Sequence, residues 1–117
     1  MKLVIADPQA RVRHSLRVLL EQQQGCQVAG EAADVHELMS LLQESCPDLL
    51  VIDWDLPDLP SENLLCLLRE QYPGLLILSM SGRQELGPLA LQSGADVIAC
   101  KTESPLKLLS LIRELYA

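Results

Sequence analysis

Short runs of aliphatic residues recur along the chain, and segments with helical periodicity separate them. The clearest run is residues 49–52, where four consecutive aliphatic residues precede Asp53. Strands that are buried on both faces lose the alternation of polar and apolar positions, so this run predicts a central parallel strand that ends on an acid. Pro57 excludes a continuation of the strand, and the segment between Asp53 and Pro57 is therefore predicted to be a loop.

Four further aliphatic runs have the length of strands. They lie at residues 3–6, 26–30, 75–78 and 97–100, and the first of them leads into Asp7 as the central run leads into Asp53. Residues 26–30 alternate only weakly between polar and apolar positions, which predicts a strand at an edge of the sheet. Two buried strands are thus expected to deliver carboxylates to one edge.

Between the strands, apolar residues recur at the helical spacing of three and four positions. The first helical segment begins near residue 11, and the second opens with a capping box formed by Asp34 and Glu37. A third begins near Ser61 after cap-type residues. The last helix is predicted to start at Ser104-Pro105, since proline is favoured in the first turn of a helix.

The fourth helical segment, residues 84–92, is expected to be short or irregular because Gly87 and Pro88 disfavour a helix interior. Strand and helix nevertheless alternate five times, which is typical of a parallel sheet covered by helices on both faces. We predict a flavodoxin-like (βα)5 three-layer α/β sandwich with strand order 2-1-3-4-5. The whole chain, 1–117, is predicted to form one domain.

The composition narrows the possible functions. A formal net charge of −7 argues against direct binding of nucleic acid or anionic lipid by this domain. No apolar run has the length of a membrane span, and the N-terminus turns acidic too early for a signal peptide, so a cytoplasmic location is expected. The four cysteines form no C-x-x-C pair, which argues against a zinc or redox site and predicts reduced, mostly buried thiols.

In the predicted strand order, four side chains with useful chemistry end at one edge of the sheet: Asp7, Asp53, Ser79 and Lys101. A carboxylate can attack a phosphoryl group if cations neutralise the phosphoryl oxygens. Asp53 is the candidate nucleophile, and Lys101 is the neutralising ammonium. Ser79 would donate a hydroxyl, and Asp7 would lie beside a metal ion such as Mg²⁺. Each residue type is ordinary at a strand end, so the prediction depends on their convergence.

These residues resemble the receiver domains of bacterial two-component response regulators over essentially the whole chain. The similarity lies in residues 47–57 around Asp53, residues 78–80 at a switch hydroxyl, and residues 93–96 before Lys101. The opening of the chain looks most like receivers that precede a LuxR-type helix-turn-helix. The resemblance implies that Asp53 accepts phosphate from a histidine kinase or phosphotransfer protein with Mg²⁺ bound. It also implies a C-terminal output domain that regulates transcription.

The chain departs from the family pattern at two positions of the site. Pro8 stands where the family has a second acid that coordinates the metal directly, so Mg²⁺ binding is expected to be weak and phosphotransfer slow or absent. Asp55 could offer its backbone carbonyl to the metal, or its carboxylate as a substitute ligand. Ile98 replaces the aromatic switch residue, which removes the ring that would follow an inward movement of Ser79.

The last helix is unusually apolar, with apolar residues over an arc of roughly 160°. Contact with the sheet and the first helix would account for this arc, and so would a flank exposed to a partner. In receivers this helix commonly forms the dimer face, so a homodimer through it is expected. The residues of the arc are Leu108, Leu109, Leu111, Ile112, Leu115 and Tyr116.

Three functions remain open from the sequence. The first is a phosphoacceptor receiver, and the second is a degenerate receiver that acts as a phosphorylation-independent dimerisation or docking module. The third is a small phosphohydrolase that uses Asp53 as nucleophile and Asp55 as acid. Because no insertion is present that could cover a substrate and exclude water, we expect a signalling domain and not an enzyme.

Overall fold

The computed structural model describes the backbone of residues 1–116 and the side chains of residues 1–115. Five strands alternate with five α-helices, and a short 3₁₀ turn at Gln84–Leu86 precedes the fourth helix. The strands are β1 (Lys2–Ala6), β2 (Gln27–Ala32), β3 (Leu49–Asp53), β4 (Leu76–Ser81) and β5 (Val97–Cys100). The helices are α1 (Ala10–Glu21), α2 (Val35–Ser45), α3 (Ser61–Gln71), α4 (Gly87–Ser93) and α5 (Pro105–Tyr116).

The strands form one parallel sheet in the order β2-β1-β3-β4-β5, which confirms the predicted fold class. The central strand β3 is buried along its whole length, as its unbroken aliphatic run predicts. The weakly alternating segment forms β2 at an edge of the sheet, so the prediction of an edge strand is also confirmed. In this order the carboxyl ends of β1 and β3 are adjacent, while β5 lies two strands beyond β3.

Two hydrophobic cores cover the two faces of the sheet. Alternate residues of the central strands enter each core, so Val51 packs with α1 and α5 while Ile52 packs with α2 and α3. The apolar arc of α5 is mainly core contact, because Leu108, Leu109 and Ile112 are buried against the sheet. The side chain of Tyr116, the last residue of the predicted arc, lies outside the described side chains.

Local signals explain where the helices begin. The Asp34 side chain accepts the Glu37 N–H at 2.8 Å, so Asp34 caps α2 as predicted, but the Glu37 carboxylate accepts the N–H of Ala33, one residue before the cap, at 3.0 Å. Helix α4 is only seven residues long and begins with Gly87, as the glycine and proline there predict. Within the part of the chain that the structure describes, no helix is long and apolar enough to cross a bilayer.

The cysteines correct one expectation. None of the four forms a disulfide, but Cys46 and Cys66 are exposed and Cys26 and Cys100 are only partly buried, so the prediction of mostly buried thiols is wrong. Cys46 caps the C-terminus of α2 in a left-handed conformation with φ 45°. Periodicity does not predict the exposure of Cys46, because a cap residue lies outside the repeating pattern of its helix. Cys66 lies on the outer face of α3.

The turn between α4 and β5 depends on a glycine. Gly94 has φ +131°, and a Cβ there would lie 3.2 Å from the Leu65 carbonyl oxygen and 3.1 Å from the Arg69 Cβ. The Arg69 guanidinium donates to the Gly94 carbonyl at 2.7 Å and pairs with Asp96, so α3 and this turn are held closely together. A side chain at this position would need both a strained backbone conformation and displacement of α3.

We therefore predict that Gly94→Ala lowers the free energy of unfolding by about 2–4 kcal/mol. Gly82→Ala is the matched control, because a Cβ at Gly82 would have no neighbour within 4 Å. The control is expected to change stability by less than about 1 kcal/mol. Urea unfolding followed by circular dichroism measures both, and equal stability of the two variants would contradict the argument.

Candidate phosphoacceptor site

One lysine joins two buried carboxylates at the carboxyl edge of the sheet. Asp7 directly follows β1, Asp53 ends β3, and Lys101 directly follows β5. The Lys101 Nζ lies 2.7 Å from Asp7 Oδ2 and 2.7 Å from Asp53 Oδ1. The carboxylates are almost fully buried, at 2% and 5% exposure. The long lysine side chain thus reaches from β5 to the ends of β3 and β1, and the predicted convergence of these three residues is present.

The cluster carries two formal negative charges and one positive charge. Burial raises the pKa of Asp53 and the charge of Asp7 adds to this effect, while the bond to Lys101 acts against it. Burial alone would lower the pKa of Lys101, but its bonds to the two carboxylates outweigh burial and raise it. Lys101 therefore stays protonated, whereas the ionised form of Asp53 is destabilised by its surroundings.

Backbone amides hold the remaining carboxylate oxygens. The Gln9 N–H donates to Asp7 Oδ1 at 2.8 Å, and the Asp55 N–H donates to Asp53 Oδ2 at 3.1 Å. Each carboxylate therefore accepts one bond from Lys101 and one from the loop that follows its own strand. This arrangement fixes the orientation of both groups in the absence of any further partner.

A residue that the sequence analysis did not single out supports this arrangement. Arg13 donates from Nη1 to the Asp7 carbonyl at 2.7 Å, and its Nε lies 3.3 Å from Glu31 of β2. This side chain therefore ties α1 to the loop after β1. The available signal was its position on the first turns of α1, where a cation can reach back to the preceding strand end.

Ser79 lies on β4 opposite Ile52, while Asp53 lies opposite Met80. Ser79 is 3% exposed and lines the same small crevice as Asp53. In the described part of the chain, no hydrogen bond joins its hydroxyl to the carboxylates or to Lys101. The structure thus brings Ser79 to the site but leaves it outside the network centred on Lys101.

The side chains at this edge of the sheet offer few ligands to Mg²⁺. Pro8 is exposed and has no side-chain donor. The Asp55 carboxylate is 65% exposed and already pairs with Arg83 at 3.1 Å. Among the described residues, no group of three or more acids, histidines or cysteines is placed to hold a metal. Mg²⁺ keeps several waters and is usually held by one or two carboxylates, and here the Lys101 ammonium lies between the two nearest ones.

Ile98 of β5 lies on the surface next to α4 and is 37% exposed. A Cβ on Gly87 would lie 2.5 Å from the Ile98 Cδ1, so this glycine allows the isoleucine to pack against the start of α4. Ile98 and Ser79 line one groove of about 240 Å³, together with Trp54. The position that the sequence analysis named as a switch is therefore adjacent to Ser79 through this groove.

Comparisons with known proteins show the family of the chain. Residues 3–113 match the family described as "Response regulator receiver domain". The chain is 33% identical over 107 residues to the Bacillus subtilis (strain 168) protein named "Uncharacterized transcriptional regulatory protein YhcZ". The aligned region covers 90% of this chain and 50% of that protein. The chain is also 33% identical over 121 residues to the oxygen regulatory protein NreC of Staphylococcus epidermidis, with 99% of this chain and 55% of that protein covered.

A solved structure extends the comparison to three dimensions. The two-component response regulator of the LuxR family from Aurantimonas sp. SI85-9A1 superposes with a TM-score of 0.90 and 28% identity, covering 97% of this chain and 83% of that chain. The chain spans about half the length of the curated relatives that it matches. From the family match and these relatives, the chain belongs to the receiver domain family of two-component response regulators.

Proposed function

We propose that Asp53 is the phosphoacceptor of this receiver domain and takes its phosphoryl group from a histidine kinase or phosphotransfer protein. The contact that supports this most is the 2.7 Å bond between Lys101 Nζ and Asp53 Oδ1, because it places a permanent cation beside the proposed nucleophile. Receiver domains are signalling modules of phosphorylation-based systems. We extend this to the present chain as a signalling domain and not an enzyme, since the Asp55 carboxylate pairs with Arg83 and offers Asp53 no acid partner.

The proposed transfer needs little from the protein beyond positioning and charge. An Asp53 carboxylate oxygen attacks the phosphorus of a phosphohistidine, the P–N bond breaks, and its electron pair returns to the imidazole nitrogen, which is protonated from solvent. Lys101 remains at the site and neutralises negative charge on the phosphoryl oxygens. We propose that the hydroxyl of Ser79, which shares a crevice with Asp53, donates to one of these oxygens.

Receiver domains generally bind Mg²⁺ at the acidic phosphorylation site. For this chain we propose that binding is weak and that phosphotransfer is slow. Pro8 supplies no ligand, and Lys101 already compensates Asp7 and Asp53. Two unit charges about 4 Å apart interact by on the order of 4 kcal/mol at a near-surface dielectric, so an ammonium between two acids removes much of the attraction for a second cation.

The relatives suggest the wider role. YhcZ is named as a transcriptional regulatory protein, and this chain covers about half of its length. We propose that this domain likewise controls transcription through an output domain beyond its C-terminus, in the cytoplasm, and that homodimerisation through α5 transmits the signal. Among the described side chains, Leu106 on α5 is 74% exposed and could contact a partner.

A second function follows from the same lysine. If Lys101 holds the site in one state and no phosphoryl group enters, the domain would act as a phosphorylation-independent dimerisation or docking module. Each carboxylate oxygen of Asp7 and Asp53 already has a partner within the chain, which supports this alternative.

The first prediction separates the two functions. With Mg²⁺ and phosphoramidate, intact-protein mass spectrometry is expected to show slow addition of one phosphoryl group, and Asp53→Asn is expected to abolish it. Lys101→Met is expected to reduce the rate by roughly 100-fold, because it removes the stabilising charge. Lys107→Met, which removes an exposed lysine, is the control and is expected to react normally. Labelling that persists in Asp53→Asn would contradict the proposal, and no labelling at all would favour the docking module.

The second prediction concerns the metal. Pro8→Asp is expected to raise Mg²⁺ affinity at least about tenfold, since it adds a carboxylate ligand beside Asp7. Trp54 is the one tryptophan of the sequence and directly follows Asp53, so its fluorescence reports the titration. Pro57→Asp adds the same charge to the loop after β3 and serves as the control. An unchanged affinity in Pro8→Asp would show that Pro8 does not limit metal binding.

The third prediction uses the raised pKa of Asp53. A native pKa above the unfolded value of 3.8 means that the native state binds this proton more tightly than the unfolded state. The wild type should therefore lose stability relative to Asp53→Asn as the pH rises from below 3.8 through the native pKa. Each unit of raised pKa corresponds to about 1.4 kcal/mol in favour of the variant at neutral pH.

Urea unfolding at several pH values between 3 and 7 measures this difference. Asp55→Asn removes a carboxylate that is 65% exposed, and the control is expected to stay within about 1 kcal/mol of the wild type throughout. If the stability of the wild type relative to Asp53→Asn stayed constant or rose between pH 3 and pH 7, the bond to Lys101 would outweigh burial and the argument would fail.

A further inference from the structure

A second cavity lies on the other side of Lys101, between α1 and α5. Its volume is about 490 Å³, which is within the roughly 300–1,000 Å³ of small-molecule sites in proteins. The walls are mainly apolar, with Leu16 and Leu19 from α1, Met80 from β4 and Leu108 from α5. Leu16, Met80 and Leu108 also belong to the buried core, so these walls are fixed by the packing of the sheet.

The mouth of this cavity is positively charged. Arg11 and Lys107 line it and are exposed, and Glu103 is the acid beside them. Within the residues that the structure describes, neither Arg11 nor Lys107 forms a side-chain hydrogen bond or an ion pair. The chain as a whole has a formal net charge of −7, so two uncompensated cations against one acid make an unusual local excess of positive charge.

We propose that this cavity between α1 and α5 binds a small amphipathic organic carboxylate. The apolar body of the ligand would contact Leu16, Leu19 and Leu108, and its carboxylate would lie between Arg11 and Lys107. Lys101 lines the cavity as well and bonds to Asp7 and Asp53, so the ligand would bind directly beside the proposed phosphorylation site. This site is separate from phosphoryl transfer and does not depend on Asp53 accepting phosphate.

Charge and size favour this ligand over the alternatives. An apolar neutral molecule would fill the walls but gain no attraction from Arg11 and Lys107, which would remain hydrated at the mouth. An inorganic anion would pair with the cations but leave the apolar walls in contact with water. A molecule with one apolar end and one carboxylate satisfies both parts of the cavity.

The probe for the experiment is 4-phenylbutyrate, and 4-phenyl-1-butanol is its neutral counterpart. Each is titrated into the ¹⁵N-labelled chain, and the amide shifts of residues around the cavity, such as Ser15 and Ser104, are followed by NMR. The carboxylate is expected to bind saturably, and the alcohol at least tenfold more weakly. Equal affinities for the two probes, or shifts centred elsewhere on the protein, would overturn the proposal.

Two sets of variants test the two parts of the cavity. Arg11→Gln with Lys107→Gln is expected to weaken 4-phenylbutyrate binding about tenfold. Lys2→Gln with Arg113→Gln, which removes the same charge away from the cavity, is expected to leave binding unchanged. Val12→Phe fills the cavity from α1 and is expected to abolish binding, with thermal unfolding as the check that the domain remains folded.

The same titrations detect a competing occupant. If 4-phenylbutyrate fails to bind and the cavity amides shift with protein concentration, the groove is covered by the dimer proposed above, and the assignment to a small carboxylate is wrong. Loss of binding in both double variants would show attraction to net charge alone, and this result would also overturn the proposal.

Discussion

The site depends on one lysine that compensates two buried acids. Asp7 and Asp53 are brought together by the adjacency of β1 and β3, and two carboxylates so little exposed to water would repel each other without a cation. Lys101 supplies that cation from β5, which lies two strands away from β3. The balance of charge at this site therefore depends on the sheet order, on the burial of the acids and on the length of the lysine side chain.

This balance of charge also links structure to function. In a receiver domain the same edge must hold an acceptor carboxylate and tolerate the charge of an incoming phosphoryl group. Here the permanent ammonium meets part of that requirement, while Pro8 removes the ligand that would favour a metal. The chemistry that we propose is thus available but poorly supported by Mg²⁺, and this is why a slow phosphoacceptor and a docking module are the two functions that the geometry favours.

Much of the fold followed from the sequence, because each buried strand coincides with an unbroken aliphatic run and each helix has apolar residues at a spacing of three to four positions. The convergence of Asp7, Asp53 and Lys101 followed from the strand order. Three features did not follow from the sequence: the bond of Asp55 to Arg83, the bond of Arg13 to the Asp7 carbonyl, and the cavity between α1 and α5. They depend on side-chain rotamers and on the distance between helices, which periodicity does not encode. The exposed Cys46 escaped prediction because caps lie outside the repeating pattern.

The central claim is that Lys101 serves Asp53 as the cation of a phosphoacceptor site. A crystal structure of the domain with beryllofluoride and Mg²⁺, which together mimic the phosphoryl aspartate, tests it most directly. The account predicts beryllofluoride bound to an oxygen of Asp53, with Lys101 Nζ in contact with a fluorine atom. Saturating beryllofluoride that leaves Asp53 unmodified, or a bound group from which Lys101 has turned away into solvent, would contradict it.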